Sequence, residues 1–360
     1  MDLFSPLSLG DLTLANRITM APMTRMRSDD QGVPGDLVAQ HYTQRAGLGL
    51  IVTEGVYPVQ ESKAYSGQPG IETDAQVDGW KRVTDAVHAA GGTIVLQLMH
   101  GGRVTHTDVN GVDRIVAPSA VAIEGEIYTP AGKQAFQQPH ALTAEELEAT
   151  KTALVAAARN AIRAGFDGVE VHSANGYLLH EFLSPVANVR NDLYGGSPQN
   201  RARFGVEVTT AIAEAIGAGR TGIRISPAHN IQDVWEKDEA DVRATYEALI
   251  DGISGLGLAY LSVLHSDIEG ALVQDLRARF GGKVIANTGF GSVTTRVEAA
   301  ALLAGRHADA VAVGRPVIAN PDLAARWASE SPENEPDPSS FYAGGASGYT
   351  DYPTLAAASA

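Results

Sequence analysis

The chain has 360 residues, 44% hydrophobic and 19% charged, an ordinary globular balance with apolar material for one large core. A net charge of -15 argues against a phosphate-backbone partner, because nucleic-acid binding needs a basic surface. Zero cysteines exclude disulfides, thiolate metal sites and a cysteine nucleophile.

The opening residues, Met1 to Pro6, lack a basic region and an apolar run, so no secretory signal is read. No stretch approaches the ~20 apolar residues that a bilayer span requires, and the cytoplasm is the expected compartment. Residues 7–9 and 12–14 alternate around Gly10-Asp11, the pattern of a small hairpin, expected to plug the bottom of the fold. A short strand at 18–22 leads into Met23, Thr24 and Arg25, and a helix is expected over 36–46. Residues 48–54 form a second strand, apolar enough to be buried on both faces. Residues 74–90 carry Val77, Trp80, Val83 and Val87 on one helical stripe, ended by Gly91-Gly92. The third strand is 93–98. Residues 104–141 then break the rhythm with prolines, glycines and no periodicity, which predicts a long excursion acting as a lid or substrate loop.

The rhythm resumes with a helix over 143–164, opened by Thr143-Ala144-Glu145-Glu146 in a capping-box pattern. Strands follow at 166–171, 221–226, 257–263, 283–286 and 308–313, separated by helices at 199–216, 239–254, 271–280 and 294–304. Eight alternating units predict a single (β/α)8 TIM barrel, with the hairpin as its N-terminal cap and the excursion after strand 3. Residues 331–340, proline-rich and acidic, read as a surface linker in a C-terminal tail, and 341–348 as a loop folded back on the body.

The ligand-binding face of such a barrel is its C-terminal rim. His172, Asn175 and Tyr177 follow the fourth strand at close spacing. The first two can donate to one oxygen, and the phenol, with an ordinary pKa of ~10, can protonate a basic carbanion. Thr24, Gln97 and Arg224 add polar groups from strands 1, 3 and 5. Asn287 to Gly291 and Gly314-Arg315 offer backbone N–H groups and a charge after strands 7 and 8, the recurring phosphate site of barrels. Arg224 in a barrel strand needs either an internal ion pair or an anionic cofactor.

Several motifs together carry a family resemblance. They are Asn16-Arg17 with Ala21-Pro22-Met23-Thr24-Arg25, the run from Gln97 to Arg103, the run from His172 to His180, the run from Asn191 to Ser197 with Asn200-Arg201, Gly314-Arg315, and the run from Ala319 to Leu323. In this combination the chain resembles the old yellow enzyme family of FMN-dependent ene-reductases, which includes the bacterial N-ethylmaleimide and pentaerythritol tetranitrate reductases. The resemblance runs from Leu3 to Pro353. It implies that FMN is the cofactor, that NADPH or NADH is the reductant, and that the substrates are alkenes conjugated to an electron-withdrawing group. It further implies that Pro22, Met23, Thr24, Gly55 and Gln97 line the isoalloxazine, that Arg224 lies near its N1/O2 edge, and that Asn287, Gly289, Phe290, Gly314 and Arg315 hold the phosphate region. His172 and Asn175 should bind the substrate oxygen and Tyr177 should deliver the proton, with Tyr65, Met99 and Tyr342 as pocket walls. Asn175 stands where some members have a second histidine, and Met99 where the named reductases carry tryptophan.

Three other readings compete. A phosphosugar isomerase or lyase would need a rim lysine or glutamate. A metal-dependent hydrolase would use His100, His106, His140, His172 and His180, which show no ligand spacing. A flavin-binding sensor would leave the His172, Asn175 and Tyr177 group without a task. Oligomeric state is open between monomer and homo-oligomer.

Overall fold

The computed structural model describes residues 1–358. At its centre eight parallel strands form a closed barrel: β1 (Ile18–Met20), β2 (Leu50–Val56), β3 (Ile94–Leu98), β4 (Gly168–Ser173), β5 (Thr221–Ile225), β6 (Tyr260–Leu264), β7 (Val284–Asn287) and β8 (Ala310–Val313). Each pairs with its sequence neighbour, and β8 closes onto β1 with Val311, Ala312 and Val313 opposite Ile18, Thr19 and Met20. Every residue of these strands is buried, polar ones included. Helices cover the outer face and side chains fill the inner one, which is why the strands read as near-continuous apolar runs.

The covering helices have the expected stripes. Helix Asp74–Ala89 buries Val77, Trp80, Val83 and Val87. Helix Ala144–Arg163 starts with a reciprocal cap, in which the Glu146 amide donates to Thr143 Oγ1 at 3.2 Å and the Thr143 amide donates to Glu146 Oε2 at 2.8 Å. The hairpin Leu7–Leu9 with Leu12–Leu14 buries its leucines against Leu50, Val52, Val95, Tyr260 and Ile285 from inside the barrel. It plugs the bottom as expected.

Three expectations need correction. Strand β4 continues to Ser173, so His172 is a strand residue opposite Arg224 on β5 and does not lie past the strand end. Asn287 is likewise the last residue of β7. In both cases the ladder outlasts the apolar run, because at the top of the barrel the inward side chains face a cavity. The excursion over 104–141 is also more ordered than its pattern suggested. It holds a helix at Thr107–Asn110, an antiparallel hairpin of Glu126–Thr129 with Gly132–Ala135, and a parallel bridge of Val116–Ala117 with His140–Ala141. Only the first hairpin strand alternates, with Ile127 and Thr129 buried; its partner has no apolar residue but Ala135, which hid the pair.

The tail folds back onto the barrel. Arg27 donates to the carbonyls of Ser340, Phe341 and Gly345, and Arg25 to that of Gly348. The ring of His41 stacks on Tyr349 at 3.9 Å and its Nδ1 donates to the Tyr349 carbonyl at 2.9 Å. Phe341 and Tyr342 are thereby fixed beside the barrel top. Among the described residues no helix is long and apolar enough to cross a membrane.

Candidate active site

All the residues singled out from the sequence as site candidates line one cavity of about 880 Å³ at the C-terminal ends of the strands. Its size is near the upper end of the range for small-molecule sites. Strand ends supply the floor, and the loops after them, the excursion and the tail supply the walls.

The floor is a buried polar row set by strand register. Gln97 on β3 pairs with Glu170 on β4, and His172 on β4 with Arg224 on β5. Gln97 Nε2 donates to Glu170 Oε1 at 2.7 Å. Arg224 donates to Ser262 Oγ and to Asn287 Oδ1, both at 3.2 Å, while its Nε has no partner. Burial pushes the Glu170 carboxyl up, and the nearby positive charge of Arg224 pulls it partly back. Among the described residues Arg224 makes no ion-pair contact with a carboxylate, so the internal salt bridge is not the explanation for this buried cation. Its fields are only partly answered by the protein.

One wall carries the proton-handling groups. Burial, reinforced by Arg224, holds the His172 imidazole well below its ordinary 6.5, so it is neutral. Its Nδ1 accepts from the Ala174 amide at 3.2 Å, which leaves Nε2 to carry the proton. Asn175 has φ 58, a left-handed conformation that asparagine tolerates better than most residues. Its amide donates to Ser226 Oγ at 2.8 Å and its carbonyl accepts from Gln232 Nε2 at 2.9 Å. The next amide, of Gly176, donates to His180 Nδ1 at 2.9 Å, and His180 Nε2 in turn meets Tyr246 at 3.0 Å. These bonds hold the backbone of the turn and leave the Asn175 carboxamide uncommitted, with no protein partner for Oδ1. Tyr177 caps the turn, its ring 5.0 Å from that of His172 at 73°, and its hydroxyl 2.8 Å from that of Tyr65.

The opposite end is formed by the loops after β7 and β8. Gly289 has φ +97, and a side chain at Gly314 would meet only Met23 Sδ at 3.6 Å, so the backbone there is open to the cavity. Arg315 donates to the Phe290 carbonyl at 2.9 Å and to that of Ser292, which fixes it beside Phe290. Pro22, Met23, Thr24 and Gly55 lie between the two ends, with Met99 packed over Gly55 so closely that a Cβ there would come 2.4 Å from its sulfur.

Gln232, Ser226, His180 and Glu170 were not assigned to the site from sequence. His180 sits in the motif after β4, but nothing in its spacing signals a bond to the Gly176 amide. Gln232 comes from a loop with left-handed Ala228, Gln232 and Asp233, a conformation no pattern announces.

The matching profile is that of the NADH:flavin oxidoreductase / NADH oxidase family, over residues 2–334. The chain belongs to the old yellow enzyme family. A "probable flavin mononucleotide-dependent alkene reductase" of Leishmania infantum is 43% identical, with 98% of this chain and 97% of that protein covered. Among solved structures, morphinone reductase in complex with tetrahydroNAD is 43% identical with a TM-score of 0.92, covering 99% of this chain and 98% of the other. The old yellow enzyme homologue from Zymomonas mobilis is 37% identical with a TM-score of 0.93, covering 99% and 100%. As an old yellow enzyme the chain is expected to hold FMN, and its cavity fits that group. The unpartnered Nε of buried Arg224 suits an electron-rich ring edge, and the open glycines beside Arg315 suit a phosphate.

Proposed function

We propose that this protein is an NAD(P)H-consuming, FMN-dependent ene-reductase acting on activated alkenes, namely α,β-unsaturated ketones and aldehydes, maleimides and nitroalkenes. Nitro compounds and nitrate esters are further candidate substrates. On this reading the whole chain works as one FMN-binding barrel, in the cytoplasm. The observation that carries it is the convergence of neutral His172, uncommitted Asn175 and Tyr177 on one wall of a cavity floored by Gln97 and Arg224.

When bound, FMN supplies the hydride chemistry, reduced by NAD(P)H and oxidised by the β carbon of the alkene. Pro22, Met23, Thr24, Gly55 and Gln97 would line its ring, Arg224 would offset negative charge at the N1/O2 edge, and Asn287, Gly289, Phe290, Gly314 and Arg315 would hold its phosphate. His172 and Asn175 donate to the carbonyl or nitro oxygen of the substrate. Negative charge grows on that oxygen during reaction, so donors already aimed at it favour the transition state over the ground state. Tyr177 gives its proton to the α carbon. Tyr65, Met99 and Tyr342 bound the space the alkene occupies, and the protein's share of the work is orientation and electrostatics.

The test is spectroscopic. The purified protein should show a flavin spectrum, bleach on anaerobic NADH or NADPH, and recover its colour on adding cyclohexenone. A para-substituted phenol should add a long-wavelength band. A protein that stays colourless after incubation with FMN refutes the proposal.

A further inference from the structure

We infer that Tyr65 is a positioning residue for the proton-transfer step: its hydroxyl donates to the Tyr177 oxygen and holds the negative charge that proton delivery leaves there. The inference rests on the reading above, in which Tyr177 is the acid. The two hydroxyl oxygens are 2.8 Å apart. Tyr177 is 8% exposed and packs in a small apolar cluster with Ala64, Met99, Val104 and Ile123. A phenolate formed in that cluster has little water to stabilise it, and an unpaired buried charge is costly. Of the two phenols only Tyr65 can be the lasting donor, because a phenolate can only accept.

The geometry around Tyr65 is built. The amides of Ala64 and Tyr65 donate to Gln68 Oε1 at 2.8 and 3.3 Å, and Gln68 Nε2 donates to the Gly55 carbonyl at 2.9 Å. Gln68 is fully buried, so the loop that carries Tyr65 is pinned to β2 beside the cavity. Burial raises both phenols, but a hydrogen bond with Tyr65, the larger effect, and one with the Gln232 side chain pull Tyr177 back down, while Tyr65 itself goes well above its ordinary value. Tyr177 is therefore the stronger acid of the pair. The other titratable groups facing Tyr177 are His172, neutral and ring to ring with it, and Tyr342, which acts through space.

In the step, the Tyr177 O–H bond breaks and the electron pair of the electron-rich α carbon forms the new C–H bond. The charge arrives on the Tyr177 oxygen, already bonded to the Tyr65 proton. Water admitted to the open cavity then returns a proton to the Tyr177 oxygen, while Tyr65 keeps its own proton throughout.

The test compares two electron acceptors on the flavin-loaded wild type and Tyr65→Phe. An enone needs a proton on carbon; a quinone is protonated on oxygen by water and does not call on Tyr177. The expected result is that the quotient of enone kcat to quinone kcat falls at least about tenfold, the scale of one charge-assisted hydrogen bond. The solvent isotope effect on enone turnover should rise, and the alkaline limb of its pH profile should move to higher pH as Tyr177 loses its stabilising donor. Gln68→Ala, which keeps both hydroxyls but frees the loop, should lower the same quotient by a smaller factor. Parallel loss with both acceptors, or a quotient held within about twofold, would mean that Tyr65 only shapes the cavity, and overturns the inference. A wild-type protein that reduces quinone but no enone overturns the reading on which the inference stands, and the inference with it.

Discussion

Glu181→Gln should make this protein more stable in alkali and leave it unchanged in acid. Glu181 lies in helix Leu178–Leu183, four residues after Tyr177, and is fully buried. Its Oε1 accepts from the Arg103 amide at 2.8 Å, and its Oε2 has no partner. Burial, only partly offset by Arg103, pushes the carboxyl from an ordinary 4.5 up to about 8. Between those values the folded chain keeps a proton that the unfolded chain has released. Stability from this group is therefore fully present below about pH 4.5, declines by about 1.4 kcal/mol per pH unit, and is gone above about pH 8. Over a window of about 3.5 units the loss is about 5 kcal/mol. Glutamine keeps the bond from Arg103 and has no proton to lose. Urea denaturation of the two proteins should nearly coincide at acid pH, and the gap in favour of the variant should widen through neutrality and level off above about pH 8. An infrared carbonyl band of a neutral carboxylic acid, seen in the wild type at pH 7 and absent from the variant, checks the same point directly. A stability difference that is the same at about pH 5 and about pH 9 would mean that Glu181 is ionised throughout, and refutes the reasoning.

Other consequences are sharper at the site. Because burial and Arg224 keep His172 neutral, para-substituted phenol affinity should not show a histidine transition near 6.5; an acid limb there would contradict the assignment. Asn175→Gly and Asn175→Ala both remove the carboxamide, but alanine also bears the strain of a φ of 58, so it should melt lower than the glycine variant by the equivalent of about 1 kcal/mol. Gly102→Ala should be among the most damaging small changes, since Gly102 has φ +60 and a Cβ would lie 2.2 Å from Glu181 Oε1; a thermal melt within a degree or two of wild type would show that this loop adapts.

The barrel was legible because its strands are short apolar runs separated by helices with clean stripes and caps, as at Val77 to Val87 and at Thr143 with Glu146. Those signals are local, and so they survive in the sequence alone. What was misread is set by tertiary surroundings. His172 and Asn287 belong to strands because the ladder continues wherever the neighbouring strand does, whatever the side chain. The hairpin Glu126–Thr129 with Gly132–Ala135 depends on a second strand with no alternation of its own. The named site residues were found through a rim argument and a motif set, and they share one cavity. Gln232 and Ser226 could not be found that way, because each acts on the backbone of Asn175 from more than fifty positions away in sequence.

The pairing of β8 with β1 has a consequence for how the chain is made. Ile18–Met20 leaves the ribosome long before its partner Ala310–Val313, since Thr19 and Val311 are 292 positions apart. Until then the nascent protein can be at most an open sheet with two unpaired edges, and such edges invite association with other chains. The cavity wall at Phe341 and Tyr342 comes later still, held by Arg25 and Arg27 from the first tenth of the sequence. A chain broken off before Ala310 therefore lacks the closing strand and carries an open seam, and one broken off before Phe341 closes its barrel but lacks that wall of the site.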